Sequence, residues 1–271
     1  PDQVQSIPHH LRYSQINYDR ENVLPMLNLF ETQVEDELEQ TSNPVTVLEQ
    51  LSICLIYPHW RTGTLPLSHR VSKLFPTAYE SPRVQFFFID GETGKAFPGW
   101  VVRASKYVYG LKDWYDSHSL LPGSLVQIKR GKNPGEVIIS VDKKRPSREW
   151  IRTALVGSDG GIVFAMLKQM VNSPFDDRMA IMISDVALLE KNWEPSNRSN
   201  RNLEQVVINM MRELAKLNPQ GHVHAQELYA AVNLVRRCPP GPILNLLAEK
   251  SWVSHLGDLY FRLEENSDED N

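Results

Sequence analysis

Cysteine is nearly absent: Cys54 and Cys238 are the only two in 271 residues. Two thiols exclude a disulfide framework, and no knuckle of cysteines and histidines offers a metal site. Cys54 lies in the apolar run LSICLIY, where a thiol packs as a small hydrophobe. No apolar run approaches the roughly 18–20 residues that span a bilayer, so no membrane partner is expected. No signal-peptide pattern occurs, and a reducing, intracellular setting (cytoplasm and nucleoid, or nucleus) follows. The first residue is Pro1 rather than Met, which reads as a processed or excerpted chain.

Catalytic signatures are missing as well. Ser158-Asp159-Gly160-Gly161 has no following Lys-Ser/Thr and reads as a plain turn rather than a phosphate loop. No nucleophile elbow accompanies a Ser/His/Asp set. Asp185 with Glu190-Lys191 lacks the Glu-x-Lys element of a nuclease cluster. His222 and His224 face one way in a strand, but with only Cys238 to help they read as exposed strand histidines, not zinc ligands. Asp176-Asp177 and Asp113/Asp116 read as caps or solvated groups. The expectation is a non-enzyme with no catalytic residues, cofactor or metal.

What the chain does have is segregated charge. The net charge is −4, but Pro66–Trp150 carries fourteen Lys and Arg against eight Asp and Glu, a balance of +6. Pro1–Leu65 carries three against nine (−6), and the part from Val206 on carries six against nine (−3). A basic module between acidic flanks points to a binding surface on that module.

The order of elements gives an α+β, multidomain chain. Residues 1–40 read as an arm and an acidic amphipathic helix, Glu21–Gln40. Its apolar face is Val23, Leu24, Leu27, Phe30, Val34 and Leu38, and its other face is Glu31, Glu35, Asp36, Glu37 and Glu39. Pro25 falls in its first turn, where a missing N–H is harmless. This helix packs on the barrel or pairs with a partner. Residues 41–194 read as a small β-barrel with an α/β extension. Short alternating strands are punctuated by Gly, Pro and Asp: Thr64–Leu67, Val84–Ile89, Trp100–Ala104, Tyr107–Tyr109, Leu125–Lys129 and Gly135–Val141. His59–Gly63 is expected as a loop, Leu111–His118 as a helical turn, Ile162–Val171 as a helix and Met179–Ile183 as a buried strand. Residues 195–202 (PSNRSNRN) are the linker. Residues 203–264 run helix, short strand, helix, helix and hairpin, the order of a winged helix. The tail 265–271 is acidic and unpatterned.

Cations gather on the loops of the barrel. Trp60, Arg61 and Thr62 precede a strand; Arg103, Ser105, Lys106 and Tyr107 sit between two others. Lys129, Arg130 and Lys132 follow the Leu125 strand, and Lys143, Lys144, Arg145 and Arg148 follow the next. Arg236 and Arg237 stand at the turn before the last helix. Arg and Lys bridge phosphates or fork onto guanine, and hydroxyls add contacts.

Three runs carry a family resemblance. Thr64-Leu65-Pro66-Leu67-Ser68 leads into a short helix ending Leu74-Phe75-Pro76. Phe88-Ile89-Asp90…Gly94…Trp100-Val101-Val102 forms a hairpin, and Tyr107-Val108-Tyr109-Gly110…Trp114…Leu121…Gly123-Ser124 runs into the last strands. Together, Thr64–Ile139 resembles the plant B-three type DNA-binding pseudobarrel, shared by the effector-DNA-binding domain of some bacterial restriction endonucleases. The resemblance implies a wrench of two arms entering the major groove, here His59–Gly63 and Arg103–Lys106. The chain departs from the pattern in its short second arm and in the extra residues Lys95–Gly99. Gly123-Ser124 replaces Gly-Asp, and Gly110 is separated from Trp114. The expected partner is double-stranded DNA, for a transcription regulator or targeting module. A protein partner or homodimer through Glu21–Gln40 or the winged helix is the alternative, with the winged helix open to DNA or protein. A DNA-targeting fragment of a larger enzyme, such as a nuclease, is the remaining reading.

Overall fold

The computed structural model describes residues 7–30, 33–39, 48–77, 81–194 and 202–264. The break expected at Thr41–Pro44, the linker Pro195–Arg201 and the acidic tail beyond Glu264 lie outside the described residues. The protein is mixed α+β, and its contacts divide it into two units. The first holds Pro1–Arg12, Glu31–Glu149 and Met170–Ala180; the second holds Tyr13–Phe30, Trp150–Gln169 and Ile181–Asn271. Among the described residues, no helix is long and apolar enough to cross a membrane.

The acidic amphipathic stretch does not form one helix. Helix α1 spans Arg20–Leu27, capped by the Asp19 carboxylate, which accepts the Glu21 amide at 3.1 Å. Pro25 therefore lies inside the helix rather than in its first turn, where it has no N–H for the carbonyl four residues back and shortens the run. Instead of packing on the barrel, α1 belongs to the second unit and packs on the Pro240–Glu249 helix.

The first unit is a curled seven-stranded half-barrel. Its strands are β1 (Gln50–Cys54), β2 (Thr64–Pro66), β3 (Arg83–Asp90), β4 (Ala96–Val102), β5 (Tyr107–Tyr109), β6 (Leu125–Arg130) and β7 (Glu136–Ser140), in the order β1-β6-β7-β3-β4-β5-β2. Neighbours are antiparallel except β3 and β7. Alternation sends Phe86, Phe88, Val101, Val108, Val126, Ile128, Val137 and Ile139 into one core with Leu65, Leu111 and Tyr115.

Two short helices cap this sheet. Helix α2 (Tyr57–Thr62) occupies the stretch expected as a loop. Pro58 sits in its first turn, and Gly63 ends it at φ +64, a conformation glycine adopts without strain. A Cβ on Gly63 would stand 2.3 Å from the Lys112 amide nitrogen, so only glycine lets α2 and α3 (Lys112–Ser117) approach this closely. At the other seam, Gly123 (φ +98) passes within 2.3 Å, measured from its missing Cβ, of the Ala180 backbone.

Strands β1 and β2 are the edges of this sheet; among the described residues, residues 33–39 meet the Cys54 end of β1 directly and Thr64 of β2 through His59. The Gln33 carbonyl accepts the Cys54 amide at 2.8 Å. The Glu37 carboxylate meets His59 Nε2 at 2.9 Å, while His59 Nδ1 meets the Thr64 hydroxyl at 2.7 Å. The Glu35 carboxylate accepts the Ser68 hydroxyl and pairs with Arg70 Nε at 2.9 Å. Glu35, Asp36 and Glu37 are buried, not an exposed acidic helix face. Each of the two glutamates has found a distant hydrogen-bonding partner that compensates its burial.

Strands β8 (Ser147–Val156) and β9 (Ile162–Val171), which belong to the second unit from Trp150 to Gln169, form a hairpin, with β10 (Met182–Ile183) parallel to β8. The expectation of a helix at Ile162–Val171 fails because Ser158–Gly161 is a hairpin turn. Gly157 N–H donates to the Gly161 carbonyl at 2.9 Å, Gly161 N–H donates to the Asp159 carboxylate at 3.0 Å, and Gly160 has φ +79. Met179–Ile181 is buried, but only Met182–Ile183 pairs as a strand. Helix α4 (Val186–Glu190) is capped by the Asp185 side chain. Then come α5 (Leu203–Ala215), β11 (His222–His224), α6 (Ala225–Val232), α7 (Pro240–Glu249) and a hairpin of β12 (Val253–Gly257) and β13 (Tyr260–Leu263), with sheet order β11-β13-β12. His224, expected as exposed, is buried: its Nδ1 accepts the Gln226 amide at 3.2 Å in a capping box with Glu227. Among the described residues, His222, His224 and Cys238 do not converge as a metal-ligand set.

Candidate nucleic-acid interface

Strand directions sort the expected cations onto two rims of the half-barrel. The end of β4, the start of β5, the end of β6, and the starts of β7 and β3 share one rim. It carries Arg83, Arg103, Ser105, Lys106, Lys129, Arg130 and Lys132. The end of β3, the end of β7 and the start of β2 share the other, with Trp60, Arg61 and Thr62 just before β2, and Lys143, Lys144, Arg145 and Arg148 beyond β7. The two arms implied by the resemblance thus end opposite rims.

The first rim is stepped and rigid. Phe87 of β3 is in register with Glu136 at the start of β7, whereas Arg83 is in register with Val102. That four-residue offset carries the β4–β5 turn about 13 Å beyond the β6–β7 turn. The β4–β5 turn is a 3-10 turn over Arg103–Ser105, closed by Lys106 N–H to the Arg103 carbonyl at 3.2 Å. Lys106 adopts φ +54, and its carbonyl accepts the Leu67 amide at 2.8 Å. In the β6–β7 turn, Gly131 N–H donates to the Glu136 carbonyl at 2.9 Å, and the Asn133 amide and side chain both donate to the Glu136 carboxylate. Arg130 donates to the Lys73 carbonyl. Lys106, Lys129 and Lys132 are exposed, and among the described residues none of them has an ion pair.

The second rim spends part of its polar groups internally. Lys143 pairs with Glu92 at 2.9 Å; Lys144 pairs with Glu149 at 3.2 Å and lies over the Phe175 ring. The Trp60 indole donates to the Leu120 carbonyl at 2.7 Å, and the Thr62 hydroxyl to the Pro58 carbonyl at 2.7 Å. Arg145 and Arg148 are exposed, and Arg61 is half-buried.

Two expected contacts are buried away from any surface. Tyr107 is only 3% exposed and packs with Leu11 and Val102; burial raises the pKa of its hydroxyl against the lowering effect of Arg83. Arg237 is 2% exposed, its guanidinium turned to the Asn233 side chain and the Cys238 carbonyl. Arg236 is half-buried. Arg83 is not among the expected contacts because the sequence places it just before the expected strand Val84–Ile89; it is the first residue of β3, and the hairpin register, which sets it opposite Val102, brings it beside Arg103.

Beside the second rim lies a cleft of about 720 Å³, walled by Phe97, Pro98, Trp100, Tyr109 and Trp114, with Asp90, Asp113, Lys95 and Lys112 around it. Burial alone would raise the Asp90 pKa, but hydrogen bonds from the Glu92 amide and from the Thr93 hydroxyl and amide outweigh it and hold the pKa down. No protein-family model, curated protein or solved structure matches the chain.

Proposed function

We propose that the chain binds double-stranded DNA through the stepped rim of Arg83, Arg103, Lys106, Lys129, Arg130 and Lys132, acting as a transcription regulator or targeting module rather than an enzyme. The observation that carries this reading is the contrast between the rims. Lys106 and Lys132 stand on hydrogen-bonded turns and Lys129 near the end of β6, with no ion pair among the described residues, whereas on the other rim Lys143 and Lys144 pair with Glu92 and Glu149 and only Arg145 and Arg148 stay exposed without one. Cations held on rigid turns and not consumed internally are what phosphate contact requires. Supporting the B-three-like reading are the seven-strand order with short helices after β1 and β5, and the Asp90–Gly94 turn between β3 and β4.

For residues 203–264 a winged-helix reading is supported by the helix, strand, helix, helix and hairpin order with a β11-β13-β12 sheet. Helix α7 buries Ile243, Leu244 and Leu247, and Arg237 is buried too. We therefore assign this part a protein contact rather than a second DNA contact.

Fluorescence anisotropy of the full chain with a random 20-bp duplex, at about 50 and about 200 mM salt, tests the reading. Six phosphate contacts predict a fall in affinity of roughly a thousandfold across that range. The combined variant Lys106→Ala, Lys129→Ala, Lys132→Ala should flatten the slope of log affinity against log salt by about three. Salt-insensitive binding, or an unchanged slope in the variant, would overturn it.

A further inference from the structure

Strand β9 is the outer strand of the sheet β10-β8-β9, so one of its edges has no neighbouring strand among the described residues. Its register with β8 follows from two contacts. Gly157 N–H donates to the Gly161 carbonyl at 2.9 Å, and seven residues further along each strand Lys168 Nζ lies 5.3 Å from the centre of the Trp150 ring. That register makes Leu155 and Val163 a hydrogen-bonded pair, like Gly157 and Gly161, and turns the backbone of the alternate residues Phe164, Met166 and Lys168 to the free edge. On β8 the same phase turns Ala154 away from β9, and its carbonyl accepts the Ser184 amide, just past β10, at 3.0 Å. Natural sheets blunt a free edge with proline, a bulge or inward charges. Residues Ile162–Gln169 hold no proline and a single charge, Lys168.

Apolar side chains flank that edge. Trp150, Leu155, Val163, Met166, Leu167 and Met170 are half of the large hydrophobics exposed among the described residues, and all six stand on β8 and β9. Scattered singly such residues need no explanation, but gathered on one hairpin they mark an interface. We propose that the chain forms a two-fold dimer in which β9 pairs antiparallel with β9 of a second copy, centred on Met166. The centring follows from the edge itself. A two-fold axis normal to the sheet sets each residue opposite one on the same face. Centred on Met166, it also brings outward-turned backbone groups onto outward-turned backbone groups. Phe164 then stands opposite Lys168 of the second copy, and Ala165 opposite Leu167. Lys168 meets no like charge, whereas an axis through Lys168 would set two of them face to face. The sheet's other edge, β10, is only two residues long, too short to carry the pairing on, so association closes at two copies. A strand of ten residues is about 33 Å long. Its edge buries less than the roughly 800 Å² per copy of a standard interface, which sets dissociation in the micromolar range. The dimer is independent of the duplex reading, since β9 carries none of the rim cations.

Analytical ultracentrifugation of the full chain from ~1 to ~200 µM tests the proposal. The mass should rise from one copy to two and stop there, with a midpoint that hardly moves between low and high salt, because the contact is backbone and apolar. Met166→Lys, at an exposed position and checked for folding by circular dichroism, sets two lysines on the axis and should weaken the dimer about tenfold. The register has its own readout, since the native thiols Cys54 and Cys238 are buried and do not compete. Chains carrying Ala165→Cys and Leu167→Cys, oxidised together, should form a disulfide between copies far more readily than either chain alone. A chain that stays monomeric throughout the range would overturn the dimer. A dimer untouched by Met166→Lys would overturn β9 as its contact, and a mass that keeps growing beyond two copies would overturn the closed pairing. Cross-linking of Ala165→Cys alone as readily as in the mixture would overturn the register.

Discussion

Two carboxylates in the first unit carry opposite pH signatures. Burial raises the pKa of Glu35, an effect that outweighs the lowering by the Ser68 hydrogen bond and by Arg70. Its folded state holds a proton more readily than the unfolded chain, so stability falls as pH rises from the ordinary carboxylate value through the raised one. Asp90 is the reverse: its lowered pKa gives stability above the ordinary value that is lost as pH falls through the folded one. Urea unfolding of Glu35→Gln across pH 3–7 should show less decline towards neutral pH than the native chain. Asp90→Ala should cost about 1 kcal/mol at neutral pH, with the difference vanishing under strong acid. Neither behaviour can be read from the linear order of residues. Asp90 announces itself as a turn residue four before Gly94, but the partners of Glu35 come from more than thirty positions away, at Ser68 and Arg70.

Secondary structure follows the chain where punctuation is strong. The strands of the half-barrel are short, and Gly, Pro and Asp mark their ends, so β2, β3, β5, β6 and β7 come out within a residue or two of expectation. Strand β9 does not, because Ala165, Met166, Leu167, Lys168 and Gln169 are good helix formers. Met166 and Leu167 are both exposed, which erases the alternation a strand normally displays. Only pairing with β8 decides it. The opening helix shows the same limit: its period runs on past Leu27, but Pro25 and the burial of Glu35–Glu37 divide the stretch between two units. Fully buried Val23 anchors α1. Val23→Ala should destabilise the second unit by about 1–3 kcal/mol, seen as a lower unfolding midpoint by far-ultraviolet circular dichroism, with the salt slope of DNA binding unchanged. The cations of the interface were visible as residue types; their partition between two rims was not, since it depends on strand pairing over long separations.

Among the described residues, residues 33–39 link the two edge strands of the half-barrel, β1 directly and β2 through His59. A piece cut at residue 41 would lose the acceptor of the Cys54 amide and the carboxylate partners of His59 and Arg70. Open edges invite pairing between copies. Residues 41–192 should therefore form larger species in light scattering than residues 31–192 at the same concentration.

The pairing of α1 with α7 also bears on the order in which a ribosome delivers this chain. Helix α1 emerges long before Pro240–Glu249, the helix it packs on. The seam at Gly123 closes only after Ala180 has followed it out. Neither unit can finish folding while its early residues are all that exist. Val23 and its neighbours must wait for residues 240–249 before they meet that partner, and a chain stalled before residue 240 would present that helix face to whatever holds nascent polypeptides.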